Sequence, residues 1–226
     1  MISFKALSAL LSYPTADLQA AIPEIRAVLH DEGLFGPRRL TALEPLLHWL
    51  AEHDLYEVEE TYVLLFDRAR TLSLNLFEHI HGESRDRGSA MVDLIDTYRA
   101  AGFDPVTSEL PDHLPVVLEF LASQPAAEAQ EVLAGAAHVL RALTERLKRR
   151  NSAYAAVPAT LLQLAEAEGE ALPDEIDEDP DDLAALDAIW AESEVTFGPD
   201  PNAGCPAARD VLARMDVAKP QGETHA

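Results

Sequence analysis

The chain has 226 residues, with 40 acidic against 17 basic side chains and a formal net charge of −23. That length supports one well-cored domain with a tail, and the charge repels phosphate backbones, which argues against nucleic acid and for a basic polypeptide partner. Leu and Ala dominate over Gly and aromatics, favouring helix over sheet, and a lone cysteine, Cys205, excludes an intramolecular disulfide or a cysteine-only metal cluster.

Met1-Ile2-Ser3-Phe4-Lys5 opens a short amphipathic helix and lacks the basic and continuously apolar regions of a signal peptide. No apolar run approaches the ~20 residues needed to span a bilayer, so a soluble, cytoplasmic protein is expected. The stripe Leu18, Ala21, Ile22, Ile25, Val28 and Leu29 predicts a helix entered through Thr15 or Asp17 and closed near Gly33. Leu40, Leu43, Leu46, Leu47 and Leu50 predict the next, with Pro45 either kinking it or marking its first turn. Asp54 with Glu57 resembles a capping box for a helix burying Leu55, Val58, Tyr62 and Leu65. Ser84 or Asp86 is expected to cap a helix with Met91, Leu94, Ile95 and Tyr98 on one face, ending at Gly102. Pro111 is read as opening another, with Leu114, Val117, Leu118 and Leu121 inward, followed by one long helix from about Ala126 to Lys148. Tyr154 to Glu168 gives a last well-patterned helix. Nothing alternates with period two, so the expectation is an all-α, single compact helical bundle over residues 1–168.

From residue 169 the character changes. Residues 1–165 hold 23 acids and 14 bases, whereas 166–226 hold 17 acids and 3 bases. An acidic, Pro- and Gly-containing tail, mostly mobile with a short helix at 183–190, is expected there.

The densest stretch of chemistry is Glu78-His79-Ile80-His81-Gly82-Glu83-Ser84-Arg85-Asp86-Arg87-Gly88. His79-x-His81 superficially suggests a metal site. Positions i and i+2 of a helix diverge, however, and zinc needs three or four ligands, so a polar turn capping the next helix is preferred and no metal is assigned. A metal-dependent hydrolase built on the His79/His81 turn is the weaker alternative. There is no nucleophile elbow, Walker loop or dinucleotide fingerprint, so no catalytic residue and no cofactor are assigned. Tyr62, Phe66, Phe77, Tyr98 and Phe120 read either as core or as part of a groove for an apolar helix face; periodicity leaves both open. Arg146-Leu-Lys-Arg-Arg150 suits the C-terminal end of a helix dipole, and could also hold the acidic tail.

Tyr62-Val-Leu-Leu-Phe-Asp67, the block Glu78 to Leu94, and Glu109-Leu-Pro-Asp-His-Leu-Pro-Val-Val-Leu-Glu-Phe-Leu121 resemble the NarJ family across about residues 4–198. These are nitrate reductase assembly chaperones within the wider TorD/DmsD-like group of molybdoenzyme maturation proteins. The resemblance implies a non-enzymatic chaperone that binds the N-terminal segment of the apo alpha (catalytic) subunit in the cytoplasm. It would hold that subunit for molybdenum cofactor insertion before membrane attachment, touch the cofactor delivery machinery transiently, and stay out of the mature enzyme. Service to a different, twin-arginine molybdoenzyme is the alternative within the group. The resemblance supplies the motif positions of a peptide site, and the division of roles is inferred. Tyr62, Leu65, Phe66, Phe77 and Tyr98 are expected as apolar walls, and Asp67, Glu78, Asp112 and Glu119 as the charge. His79, Arg85, Asp86 and His113 complete the set, the last three orienting the wall segments.

Overall fold

The computed structural model describes residues 1–81 and 86–165. Ten α-helices are present among them, and they pack as one bundle: α1 (Ile2–Leu11), α2 (Ala16–Asp31), α3 (Pro37–Glu52), α4 (Leu55–Tyr62), α5 (Leu76–His81), α6 (Asp86–Ala100), α7 (Leu114–Ser123), α8 (Ala126–Gly135), α9 (Ala137–Arg149) and α10 (Ala156–Ala165). The described residues contain no strand, only an isolated antiparallel bridge between Asn75 and His113. The all-α architecture read from the sequence is therefore correct. The expected tail helix at 183–190, and the tail itself, lie outside the described residues.

Side-chain bonds set several helix ends. Thr15, not Asp17, caps α2, its hydroxyl accepting from the Leu18 N–H at 3.1 Å. Gly33, at φ +66°, takes the left-handed conformation that lets the chain leave α2. Glu32 reaches across to α1, where its carboxylate accepts from the Ile2 and Ser3 N–H groups at 2.9 and 2.6 Å. These are orphan donors of a first turn, and satisfying them from the end of α2 makes α1 and α2 an antiparallel pair. Asp54 caps α4 through the Tyr56 N–H at 2.9 Å.

Two boundaries differ from the sequence reading, which left Pro45 as either a kink within its helix or the first turn. Pro45 lies inside α3, whose first turn is Pro37 after Gly36; a buried stripe from Leu40 to Leu50 outweighs the one hydrogen bond the ring removes. Pro111 does not open α7. The Pro111 and Asp112 carbonyls accept from the Tyr98 hydroxyl and the Leu76 N–H at 2.7 and 3.1 Å, so this backbone is committed to neighbours and the helix begins at Leu114. The single long helix from Ala126 to Lys148 is two. Ala136, at φ −92° and ψ 2°, breaks it beside Gly135, where glycine is a poor helix former.

The core is mainly aliphatic, with Phe4, Tyr98 and Tyr154 as its largest fully buried side chains. Leu7 and Leu10 of α1, Leu43 and Leu46 of α3, Leu118 of α7, Leu140 of α9 and Leu161 of α10 are fully shielded. α1 packs along α7 and against α2, while α10 is clasped by α3, α8 and α9. Helix α6 is peripheral: Tyr98 is its one buried residue, and Met91, Leu94 and Ile95 are half-covered.

Candidate functional site

Three separated sequence blocks meet on one side of the bundle. The first ends α4. There the helix widens into a π-turn over Val63–Asp67, with the Arg68 N–H donating to the Val63 carbonyl at 3.1 Å. Such insertions often re-aim side chains at functional sites. Here Tyr62, Leu65 and Phe66 turn inward and Asp67 outward.

The segment leading into the second block is joined to the third by backbone. The Leu76 N–H donates to the Asp112 carbonyl at 3.1 Å, and the Leu114 N–H to the Leu74 carbonyl at 2.8 Å. This short pairing clamps the start of α5 against the turn before α7. Asp112 strengthens it from inside, its Oδ2 accepting from the Phe77 N–H at 2.9 Å. Ser73 Oγ donates to Glu78 Oε2 at 2.5 Å, and His79 Nε2 donates to the Ser73 carbonyl at 2.8 Å. Arg70 approaches Glu78 at 3.7 Å. Glu78 and His79 thus tie α5 to the loop that precedes it.

Beside this clamp lies a cavity of about 600 Å³ between the end of α1, the π-turn, the 105–109 loop and α7. Tyr62, Asp67, His113 and Glu119 line it, together with Tyr13 and Glu109. The carboxylates of Asp67, Glu109 and Glu119 are exposed, making the mouth anionic. His113 caps α7 and sits on the inner wall, its side chain 15% exposed and its Nδ1 4.0 Å from Glu109 Oε2. Burial holds its pKa below the ordinary histidine range, against the opposing pull of Glu109, Asp112 and Asp67. Burial likewise pushes the Tyr62 phenol above its usual range, reinforced by Asp67 and Glu109. The Tyr62 hydroxyl donates to the Leu11 carbonyl at 2.9 Å. Such a cavity offers an apolar wall, a neutral imidazole and fixed negative charge at the rim, which suits a basic peptide better than an anion.

The structure places the predicted site residues in three groups. Tyr62, Asp67, His113 and Glu119 share the acidic cavity. Phe77, Glu78, His79 and Asp112 build the clamp behind it. Leu65, Phe66 and Tyr98 are buried in the core. Phe66 stacks edge-on against Tyr154 at 5.1 Å, and Tyr98 packs on Phe120 at 4.7 Å. Phe66 lies behind Tyr62, their rings 5.0 Å apart, whereas Leu65 lines a separate pocket with Trp49 and Tyr154. Asp86 is the exposed first residue of α6, and Arg85 lies outside the described residues. Sequence reasoning missed Tyr13 and Glu109. Glu109 stood within the third block, where its charge was the available signal; Tyr13, in the α1–α2 turn, carried none. Among the described residues, no group of three or more His, Cys, Asp or Glu could hold a metal ion, and no helix is long and apolar enough to cross a membrane.

Comparison with known proteins adds an independent line. The family model described as nitrate reductase delta subunit matches residues 15–160. The chain is 41% identical over 208 residues to the nitrate reductase molybdenum cofactor assembly chaperone NarJ of Escherichia coli K12, covering 90% of this chain and 88% of that one. It is 36% identical over 205 residues to the probable chaperone NarW of the same strain, covering 89% and 86%. It is 35% identical over 168 residues to the probable chaperone NarJ of Bacillus subtilis strain 168, covering 73% and 89%. The chain belongs to the nitrate reductase delta subunit family, alongside the NarJ-type molybdenum cofactor assembly chaperones.

Proposed function

We propose that this maturation chaperone binds the N-terminal segment of the apo alpha (catalytic) subunit of a nitrate reductase in the cytoplasm. It holds that subunit competent for molybdenum cofactor insertion, delays its attachment to the membrane, and leaves before the enzyme is complete. The observation that carries this reading is the cavity where Tyr62, Asp67, His113 and Glu119 converge, in a chain whose relatives are named as assembly chaperones. An anionic rim around an apolar wall recognises a basic, amphipathic segment: apolar burial gives affinity, and the carboxylates steer the approach. Phe77, Glu78, His79 and Asp112 hold α5 against the turn that carries His113, and Phe66 backs Tyr62 from the core. A chaperone that must let go needs moderate affinity, and micromolar to nanomolar binding corresponds to roughly −8 to −12 kcal/mol.

The test is calorimetric titration against a synthetic peptide from the N-terminus of the alpha subunit encoded by the same organism, at two salt concentrations. Saturable one-to-one binding that weakens with salt is expected. If that peptide fails to bind and a twin-arginine leader from another molybdoenzyme binds instead, the client has been wrongly assigned.

A further inference from the structure

Resting on that reading, we propose that the binding surface continues from the acidic cavity into the trough between α1 and α2. There it seats the apolar face of one client helix, whose N-terminal end lies at the cavity.

The trough has a volume of about 640 Å³. Ala6, Ala9 and Ala21 line it beside the bulkier Leu18, Ile25 and Val28, and the small alanine side chains leave space between the two helices. Ser12, Tyr13 and Glu119 line both this trough and the acidic cavity, so the two are one continuous surface. Large apolar side chains are exposed along it. Ile2 is 55% exposed at one end and Tyr13 49% at the junction, while Val106 stands fully in solvent on the far lip of the cavity. Apolar groups aligned in this way on one face mark a docking surface more than scattered surface residues do.

The length and charge of the trough define its occupant. α1 has 10 residues, about 15 Å of helix. A client helix of about three turns lying along it would therefore bury its apolar face over the full trough. Asp17, Asp67 and Glu109 gather towards the Tyr13 end, Glu24 and Glu119 sit midway, and Lys5 lies towards the Ile2 end, where the Glu32 carboxylate is taken up by the Ile2 and Ser3 N–H groups. A helix carries partial positive charge at its N-terminus and partial negative charge at its C-terminus. The polarity of the surface therefore selects one direction, with the client's N-terminal turn and any basic residues there facing the carboxylates and its last carbonyls facing Lys5.

The test uses the full chain and the alpha-subunit peptide carrying a nitroxide at one end or the other, read by paramagnetic broadening of backbone amides. The N-terminal label is expected to broaden Tyr13 and Glu109, and the C-terminal label Lys5 and Val28; the reverse pattern overturns the direction. Ala9→Phe and Ala21→Phe fill the trough, and each should weaken the peptide by about tenfold or more with the circular dichroism unchanged. Leu18→Ser, at the rim, provides the same reading should a filled variant not fold. Undiminished affinity in folded trough variants removes the trough while leaving the chaperone reading intact. A change in sedimentation without a change in peptide affinity would assign the trough to a second copy of the chain and overturn the proposal. Absence of any saturable binding by the wild-type chain removes the underlying reading, and this inference with it.

Discussion

Asp112 and Phe77 stand 35 positions apart in the chain, yet the carboxylate of one accepts from the backbone N–H of the other at 2.9 Å. That bond fastens the α5 segment to the turn before α7, where the neighbouring His113 lines the acidic cavity. Asp112 is fully buried, and its second oxygen, Oδ1, has no hydrogen-bond partner.

Burial pushes the Asp112 carboxyl above its ordinary range, and the Phe77 N–H and Arg87 only partly oppose it. The folded protein therefore holds this proton more tightly than the unfolded chain does. Stability from the group is greatest in acid and is lost as pH rises through the elevated folded value. Asp112→Asn keeps an acceptor for Phe77 and abolishes the buried charge. Its melting temperature should gain on wild type as pH rises from about 4 to 7. A gap that does not change with pH would remove the buried charge from the account. Asp112→Ala leaves the Phe77 donor unsatisfied and should cost about 1–3 kcal/mol in denaturant unfolding.

His113 has the opposite sign. Burial lowers its pKa, so the unfolded chain binds its proton more readily than the folded one. Its stabilising share is complete above the unfolded value of about 6.5 and is lost as pH falls through the depressed folded value. Imidazole proton resonances should show His113 titrating below the ordinary histidine range. His113→Gln should flatten the acid-side loss of stability relative to wild type, and parallel profiles would refute the assignment.

Periodicity exposed what depends on one helix at a time. The stripe from Leu18 to Leu29 and the burial of Leu40 to Leu50 were legible, because a helix buries one face whatever it packs against, and the α2 cap was narrowed to Thr15 or Asp17. Boundaries set by tertiary partners were not. Pro111 resembled a helix start, but its carbonyl belongs to the Tyr98 hydroxyl, and no local pattern announces a bond across 13 positions. The site was half legible. The blocks carrying Tyr62, Asp67, His113 and Glu119 stood out by composition, but only the fold distinguishes the cavity wall at Tyr62 from the core positions of Phe66 and Tyr98. Tyr13 became visible only once α1 and α2 had been placed beside α7.

Arg146 illustrates the same limit from the charged side. The cluster at the end of α9 read as a helix cap, yet Arg146 is only 3% exposed and its guanidinium donates to the Thr71 carbonyl at 2.9 Å. It braces the loop that leads into the α5 clamp. Arg146→Ala removes that buried donor and opens a hole, and should cost about 2–4 kcal/mol. Arg146→Lys should recover only part of this, since an ammonium lacks the planar fork. Loss should also appear as faster amide exchange over residues 70–76. An exchange pattern unchanged there would show that the loop is held by other contacts.

Asp67 and Glu119 permit the most direct reading of the cavity's charge, because both are exposed and neither is needed for the buried clamp that Asp112 completes. The double variant Asp67→Asn with Glu119→Gln should therefore keep its melting temperature. It should lose roughly two- to tenfold in affinity for the alpha-subunit peptide at low salt, as expected for exposed charges each contributing a few tenths to one kcal/mol. Screening sets the other half of the expectation. At about 0.15 M salt the Debye length is about 8 Å, so the wild type should lose affinity towards the level of the variant as salt rises, and the gap between them should close. The loss should fall mainly on the association rate, since rim carboxylates steer a basic segment more than they hold it. A gap that persists at high salt would mean that these two side chains contact the peptide through packing or hydrogen bonds. No gap at any salt would place the basic end of the client elsewhere on the surface.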